Sequence, residues 1–395
     1  MLHSRRTSLL KHRASLSSNF MRPEFETTEK LTDHLGRGDE VRGAVFQGID
    51  LSSVSAELQK ADLRDCVFLG CEIDAKLMDR LQACQATIFP EVPDTPFKKY
   101  RGLLYTPEEL QGDYVLGDES SYDGTVDGSI YNHFLKLGPN PDDVLESLTR
   151  RLHDLAITDA LQEFIAGKRI VAIMGGHSML RSDPLYGEVA KLGRTLTQLG
   201  YLVATGGGPG AMEAAHLGAW FATRTESELD DAVSMLSVAP LYKPKGEWLD
   251  AAIKVVEKYP VKDRQACQSL GIPTWLYGHE PPARFALTIA KYFANSVREE
   301  GLLAIAKGGV VFTPGSAGTI QEVFQDACQN HYRTFGVASP MIFMGQEYWT
   351  ETKPVYPLLK QLAEGQDYDQ WLSIHDDRDK IVAEIQQYHE GEQIA

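Results

Sequence analysis

From residue 169 onward, short apolar runs alternate with amphipathic segments, and this alternation limits the possible folds more than any other feature of the chain. The runs RIVAIMGG (169–176), YLVATGGG (201–208), AVSMLSVA (232–239) and GGVVFTPG (308–315) predict strands, three of which enter glycine turns. Helices are predicted between them, including an amphipathic helix over 284–299. Such alternation with short connections predicts an α/β fold, a doubly wound, Rossmann-like parallel sheet with helices on both faces.

The chain before this alternation is less regular. We therefore predict an N-terminal extension of short strands and loops over residues 1–145 and the Rossmann-like domain over 146–395. Within 38–75, apolar residues recur five apart, as in Leu63, Phe68 and Ile73, which fits either a small subdomain of short strands or a turn or two of β-coil. The first 20 residues carry four Lys or Arg and no acid, so they predict a partner-clasping arm or a transit peptide.

Charge and cysteine content narrow the function classes. Fifty-five acidic against 39 basic residues give a formal charge of −16, which disfavours binding to nucleic acid or to an anionic membrane surface. No apolar run is long enough to span a membrane. The five cysteines include no C-x-x-C pair, so we expect neither a disulfide framework nor a structural zinc site, and no metal. A cytoplasmic location is expected, and a small phosphorylated ligand is still permitted because backbone N–H groups can hold an anion locally.

Ligands of doubly wound folds bind at the carboxyl ends of the strands, so the three glycine turns are the candidate site. The first turn offers backbone N–H groups and a hydroxyl from Gly175, Gly176, His177 and Ser178. The second, TGGGPGAME at 205–213, offers Gly207, Gly208 and Gly210. It also contains a formal G-x-G-x-x-A dinucleotide fingerprint. However, Pro209 removes one N–H, and the acids at 226–231 do not follow a second strand as that fingerprint requires.

The third turn, TPGSAGTIQE at 313–322, is the most specific. A strand enters a Pro-Gly turn and a helix begins near Thr319, so the helix N-terminus can bind a phosphate. The backbone and hydroxyl groups that would hold it belong to Gly315, Ser316, Ala317, Gly318 and Thr319. Glu322 lies one turn further along the helix, where a carboxylate would face a sugar carried by that phosphate. The alternative is that Glu322 belongs to a solvated polar stripe.

These three turns together resemble the Lonely Guy (LOG) family of nucleotide phosphoribohydrolases. The resemblance covers residues 165–385 and is closest to the long bacterial pyrimidine/purine nucleotide 5′-monophosphate nucleosidases. The family pattern P-G-G-x-G-T-x-x-E falls on Pro314 to Glu322, with Ser316 in place of its second glycine. The family's upstream arginine matches Arg298, 16 residues before the motif, better than Arg284.

The resemblance implies an enzyme that hydrolyses the N-glycosidic bond of a nucleoside 5′-monophosphate to a free base and ribose 5-phosphate. It implies Glu322 and Arg298 as catalytic residues, no cofactor, and a homodimer or dimer-based oligomer with the site near the subunit interface. Two alternatives stay open: a non-catalytic nucleotide-binding or sensing protein on the same fold, and a dinucleotide-dependent oxidoreductase. The sequence does not select the base.

Overall fold

The computed structural model describes residues 22–92 and 95–392, so the predicted basic arm lies outside the described residues. The chain divides into two compact units between Gly102 and Leu103. This division comes earlier along the chain than the predicted boundary at 145/146. Residues 103–145, predicted as loops, contain the helices Pro107–Gln111 and Val126–Leu137 and belong to the second unit.

The first unit is built from a short repeat. Its strands Glu24–Phe25 (β1), Val45–Gln47 (β2), Val67–Leu69 (β3) and Thr87–Phe89 (β4) form a parallel sheet in chain order. The strand starts at 24, 45, 67 and 87 are 21, 22 and 20 residues apart. The segments between the strands carry the helices Thr28–Gly36, Ser55–Leu58 and Ala75–Ala83. The unit therefore consists of short strands joined by short helices. The five-residue spacing falls on the buried Leu63 and Phe68 and the half-buried Ile73, which lie inside one repeat, so it is not the period of the repeat itself.

The parallel register of the first unit stacks one apolar residue per strand: Phe25, Phe46, Phe68 and Ile88 are neighbours in the ladder. The Phe46 and Phe68 rings stack with centroids 4.5 Å apart, and both side chains are fully buried. Stacked aromatic rings gain from their contact beyond the area they bury. Phe25, Phe46 and Phe68 therefore belong to the buried core of the unit, and the partly buried Ile88 packs against it.

The second unit contains one seven-stranded, all-parallel sheet. Its strands are Ile170–Met174 (β5), Leu202–Thr205 (β6), Ser269–Gly271 (β7), Thr288–Ile289 (β8), Val310–Phe312 (β9), Met341–Phe343 (β10) and Leu372–Ile374 (β11). They are arranged in the order β11-β10-β9-β5-β6-β7-β8. The sheet is covered by helices, among them Val144–Ile165, Pro184–Gln198, Ala211–Trp220, Glu226–Leu236, Lys245–Lys258, Asn295–Ile305, Ala317–Tyr332, Val355–Ala363 and Arg378–Glu392. The predicted doubly wound α/β class is confirmed.

Two predicted elements of the second unit are wrong. AVSMLSVA falls mostly in the helix Glu226–Leu236, which begins with a capping box between Thr225 and Glu228. The predicted helix over 284–299 is instead the strand β8 followed by a helix that begins only at Asn295. None of the helices in the described parts of the chain is long and apolar enough to cross a membrane.

Replacing Phe46 by Ala should destabilise the first unit by about 3–5 kcal/mol, because the change leaves a cavity in the aromatic column. Phe89, which is 41% exposed on β4, provides the matched control, and F89A should cost less than about 1 kcal/mol. Native-state hydrogen exchange over β2 and β3 measures both effects. Equal protection in the two variants would contradict the assignment of the core.

Candidate functional site

The three glycine turns meet at one edge of the sheet because β9, β5 and β6 are adjacent and parallel. Gly176 donates its N–H to the Pro314 carbonyl at 3.0 Å, which joins the first turn to the third. Ala211 donates to the Gly176 carbonyl at 3.2 Å, which joins the second turn to the first. The predicted site residues of all three turns are therefore brought together.

Glycine is required where the turns approach most closely. A Cβ on Gly175 would lie 2.0 Å from Thr313 Oγ1, and one on Gly315 would lie 2.1 Å from Thr319 Oγ1. Gly210 has φ of +70°, and its Cβ would lie 2.4 Å from the Gly176 carbonyl oxygen. Side chains at these positions would force the turns apart, so the glycines make the close assembly possible.

The third turn leads into the helix Ala317–Tyr332, which we call the site helix. Ser316 is its N-cap residue and makes no side-chain capping hydrogen bond. The backbone N–H groups at the N-terminal end of the site helix are thus available to an anion, with the positive end of the helix dipole behind them. Ser316, Ala317 and Gly318 are exposed and Thr319 is buried. This arrangement can bind a phosphate group.

Glu322 lies on the site helix beside Arg298. One Arg298 guanidinium nitrogen is 3.8 Å from Glu322 Oε1, and the Glu322 side chain is 14% exposed. Burial raises the pKa of Glu322 to about 7; the Arg298 charge acts in the opposite direction and the Glu299 charge in the same direction. A carboxyl group with that pKa can exchange a proton near neutral pH.

Arg298 is held in place at the end of strand β7. Its Nε donates to the Ile272 carbonyl at 2.8 Å, and its Nη2 would lie 2.3 Å from a Cβ built on Gly206. It therefore bridges from the second turn to Glu322. Arg284, the weaker sequence match, donates instead to the Pro107 carbonyl at 2.7 Å. Of the two, only Arg298 contacts the acid of the motif.

The polar stripe of the site helix is not simply solvated. Asp326, one turn after Glu322, is 2% exposed, and its Oδ2 has no hydrogen-bond partner in the described structure. Burial raises the pKa of Asp326 to about 8. Asn330, a further turn along, exchanges hydrogen bonds with the Ser339 backbone at 2.8 and 3.2 Å, so it ties the helix to the following loop.

The sequence analysis missed Glu280 as a residue of this edge. Its Oε1 lies 3.3 Å from His177 Nδ1 and 3.7 Å from His279 Nε2. Its Oε2 would lie 3.3 Å from a Cβ on Gly208. His177 therefore links the first turn to a second carboxylate rather than acting alone. The GHE sequence at 278–280 carries no spacing that connects it to the glycine turns.

A buried polar chain behind the second turn was also missed. Gly207 donates its N–H to Thr205 Oγ1 at 2.8 Å, Thr205 Oγ1 is 2.8 Å from His216 Nε2, and His216 Nδ1 is 2.9 Å from Ser269 Oγ. Burial lowers the pKa of His216 to about 3, so the imidazole is neutral. One consistent arrangement has Thr205 donating to Nε2 and Nδ1 donating to Ser269. The chain fixes the turn from inside the fold.

No His, Cys, Asp and Glu side chains among the described residues form a group of three or more that could hold a metal ion. The side chains that the structure brings to this edge include Arg298, Glu322 and Glu280.

No protein-family model matches the chain, and no curated protein matches it. Some solved structures resemble the chain weakly. A molybdenum cofactor binding protein from Rippkaea orientalis is 15% identical with a TM-score of 0.35, over 56% of this chain and 98% of that one. The molybdenum cofactor carrier protein from Chlamydomonas reinhardtii is 15% identical with a TM-score of 0.34, over 56% and 97%.

Replacing Gly175 by Ala should destabilise the protein by about 1–3 kcal/mol, since the new methyl group overlaps Thr313 and Ala211. Gly187 is the control because it lies in the helix Pro184–Gln198 with no atom within 4 Å of an added Cβ. G187A should be neutral or stabilising by about 0.5–1 kcal/mol. Urea unfolding compares the two variants, and similar values would mean that the turns are not tightly apposed.

Proposed function

We propose that the protein hydrolyses the N-glycosidic bond of nucleoside 5′-monophosphates, releasing a free base and ribose 5-phosphate. The observation that carries the proposal is the site helix. It begins with uncapped N–H groups suited to a phosphate and carries, five residues after Ala317, a carboxyl group with a pKa of about 7 beside a guanidinium.

The spacing along the helix suits the substrate. Five residues of α-helix rise roughly 7.5 Å, which is the scale of a ribose 5-phosphate. A phosphate bound at the helix N-terminus would place its ribose toward Glu322. At that distance the carboxylate does not contact the phosphate, so the repulsion between the two negative charges is weakened. The carboxylate instead faces the ribose, which becomes positively charged during the reaction.

The chemistry then follows from the charges. The bond between C1′ and the base nitrogen breaks with positive charge developing on the sugar, and a water oxygen bonds to C1′. Ionised Glu322 stabilises that charge or accepts the proton of the attacking water, and the departing base takes up a proton. Arg298, fixed by the Ile272 carbonyl, orients Glu322 and donates to the base or phosphate.

The second turn favours this function over a dinucleotide-dependent oxidoreductase. The Gly207 N–H is already bonded to Thr205 Oγ1, the Ala211 N–H is bonded to Gly176, and Pro209 has none. None of these three positions therefore offers an N–H group to a pyrophosphate. The resemblance to the LOG family supports the same reaction. It also leads us to expect a homodimer or a dimer-based oligomer. Light scattering tests this expectation, and a monomer would contradict it.

Glu322→Gln should lower turnover of nucleoside monophosphates by about 10²-fold or more, because it removes the charge and the proton acceptor without changing the shape of the side chain.

Wild-type protein should release base from nucleotides such as AMP and not from the corresponding nucleosides, since the phosphate provides the binding energy that positions the sugar. Base release across a nucleotide panel, together with thermal shift on AMP binding, measures both.

The matched control is Glu300→Gln on the helix Asn295–Ile305, where the side chain is exposed. E300Q should keep wild-type turnover. Binding of AMP without turnover in the wild-type protein would favour a nucleotide sensor instead. Full activity in E322Q would remove Glu322 from the mechanism.

Activity should also depend on pH through Glu322. The reaction needs the ionised carboxylate, so kcat/KM should rise with pH up to the pKa of about 7 and then level off. Below that value it should fall by about tenfold per pH unit. The substrate phosphate titrates near pH 6, and AMP binding to E322Q over the same pH range measures that contribution separately. A profile that is flat between pH 5 and 8 after this correction would contradict the role of Glu322.

A further inference from the structure

A large cavity lies at the opposite edge of the second unit's sheet from the glycine turns. Its volume is about 720 Å³, and its lining includes Ile170 at the start of β5 and Gly308, two residues before β9. These strands carry the first and third turns at their other ends. The cavity is therefore separate from the candidate site described above.

The charged side chains that line this cavity are lysine and arginine. Lys168, Arg169 and Lys307 line it, together with the polar side chains of Gln162 and His389, and no Asp or Glu does among the described residues. None of these three cations forms an ion pair within the described parts of the chain. In a chain with a net charge of −16, three unpaired cations around one cavity form a local attractor for anions.

Two of these cations are restrained before any ligand binds. The Arg169 guanidinium donates to the Leu199 carbonyl at 3.2 Å and lies over the Tyr201 ring, 4.7 Å from its centroid. The Lys168 ammonium lies 3.4 Å from the centroid of the Phe164 ring. Partial burial lowers the pKa of Lys168, so a nearby anion would stabilise its charged form. Groups held in this way lose little freedom on binding an anion.

The remaining lining is apolar and includes Ile165, Ile305 and Phe335. A small adjoining pocket shares Ala304, Lys307 and Phe335 and also contains Asp326. Burial holds the pKa of Asp326 at about 8, so near neutral pH this acid is largely uncharged and opposes an anion only weakly. The cavity thus combines a cationic side with an apolar side.

We propose that this cavity is a second ligand site, which binds a small organic phosphate with its anionic group on Lys168, Arg169 and Lys307 and its apolar body against Ile165, Ile305 and Phe335. The site does not depend on the proposed hydrolase activity. It shares no residue with the glycine turns. Residues 314–319, the proposed phosphate site of the third turn, contain no lysine, so a reagent that modifies lysine would not label that turn.

Pyridoxal 5′-phosphate is a suitable probe on the full-length chain. When its phosphate binds the cations, a lysine Nζ attacks the aldehyde to form an imine and release water, and borohydride reduces the imine to a stable amine. Peptide mass mapping should find the label concentrated on Lys168 or Lys307, and pyrophosphate should suppress it. Label spread over the exposed lysines and unaffected by pyrophosphate would overturn the proposal.

Variants make the test quantitative. In Lys168→Gln, the pyrophosphate concentration that half-protects Lys307 should rise by about tenfold, because one of three cations is lost. Lys254→Gln on the helix Lys245–Lys258 is the control, since it changes the net charge equally at an exposed position outside the cavity. Far-UV circular dichroism checks the fold of each variant. Equal protection in K168Q and K254Q would also overturn the proposal.

Discussion

The hydrogen bond from the Gly176 N–H to the Pro314 carbonyl is the contact on which the candidate site depends. It exists because β5 and β9 are adjacent and parallel, so that their turns leave the sheet side by side. The distance it imposes leaves no room for side chains at Gly175 or Gly315. The start of the site helix is placed by the same contact. The glycines, the strand order and the position of the site helix therefore all serve the close approach of the first and third turns.

The site helix satisfies two opposing electrostatic demands by separating them along its axis. Its first turn presents N–H groups and a positive dipole end, which favour an anion. Glu322 lies further along, where burial rather than the dipole determines its protonation and Arg298 limits the shift. A protein with a net charge of −16 can hold a phosphate in this way because the attraction is local and comes from backbone groups.

The features predicted from the sequence are those encoded by neighbouring residues. The strand–helix alternation and the three glycine turns are local patterns, whereas Arg298 is assigned from the resemblance to the LOG family. The structure brings these residues together. The carboxylate of Glu280 and the chain from Thr205 through His216 to Ser269 arise only when separate strands and loops meet. The strand predicted at 232–239 is wrong because the capping box at Thr225 begins a helix that includes most of this apolar run. The N-terminal repeat is not evident in the sequence because its strands recur only every 20–22 residues, and the apolar spacing of five lies within a single repeat.

Placing two buried carboxyl groups one turn apart on the site helix has a thermodynamic consequence. Glu322 and Asp326 have ordinary pKa values of 4.5 and 3.8, and burial raises them to about 7 and about 8. Between these limits the folded protein binds more protons than the unfolded chain, so the free energy of unfolding decreases as pH rises. The contribution of each group to stability is complete only below its ordinary pKa of 4.5 or 3.8, and it is lost as the pH rises through about 7 for Glu322 and about 8 for Asp326. The fold therefore becomes less stable over the same pH range in which Glu322 gains the charge that the proposed reaction uses.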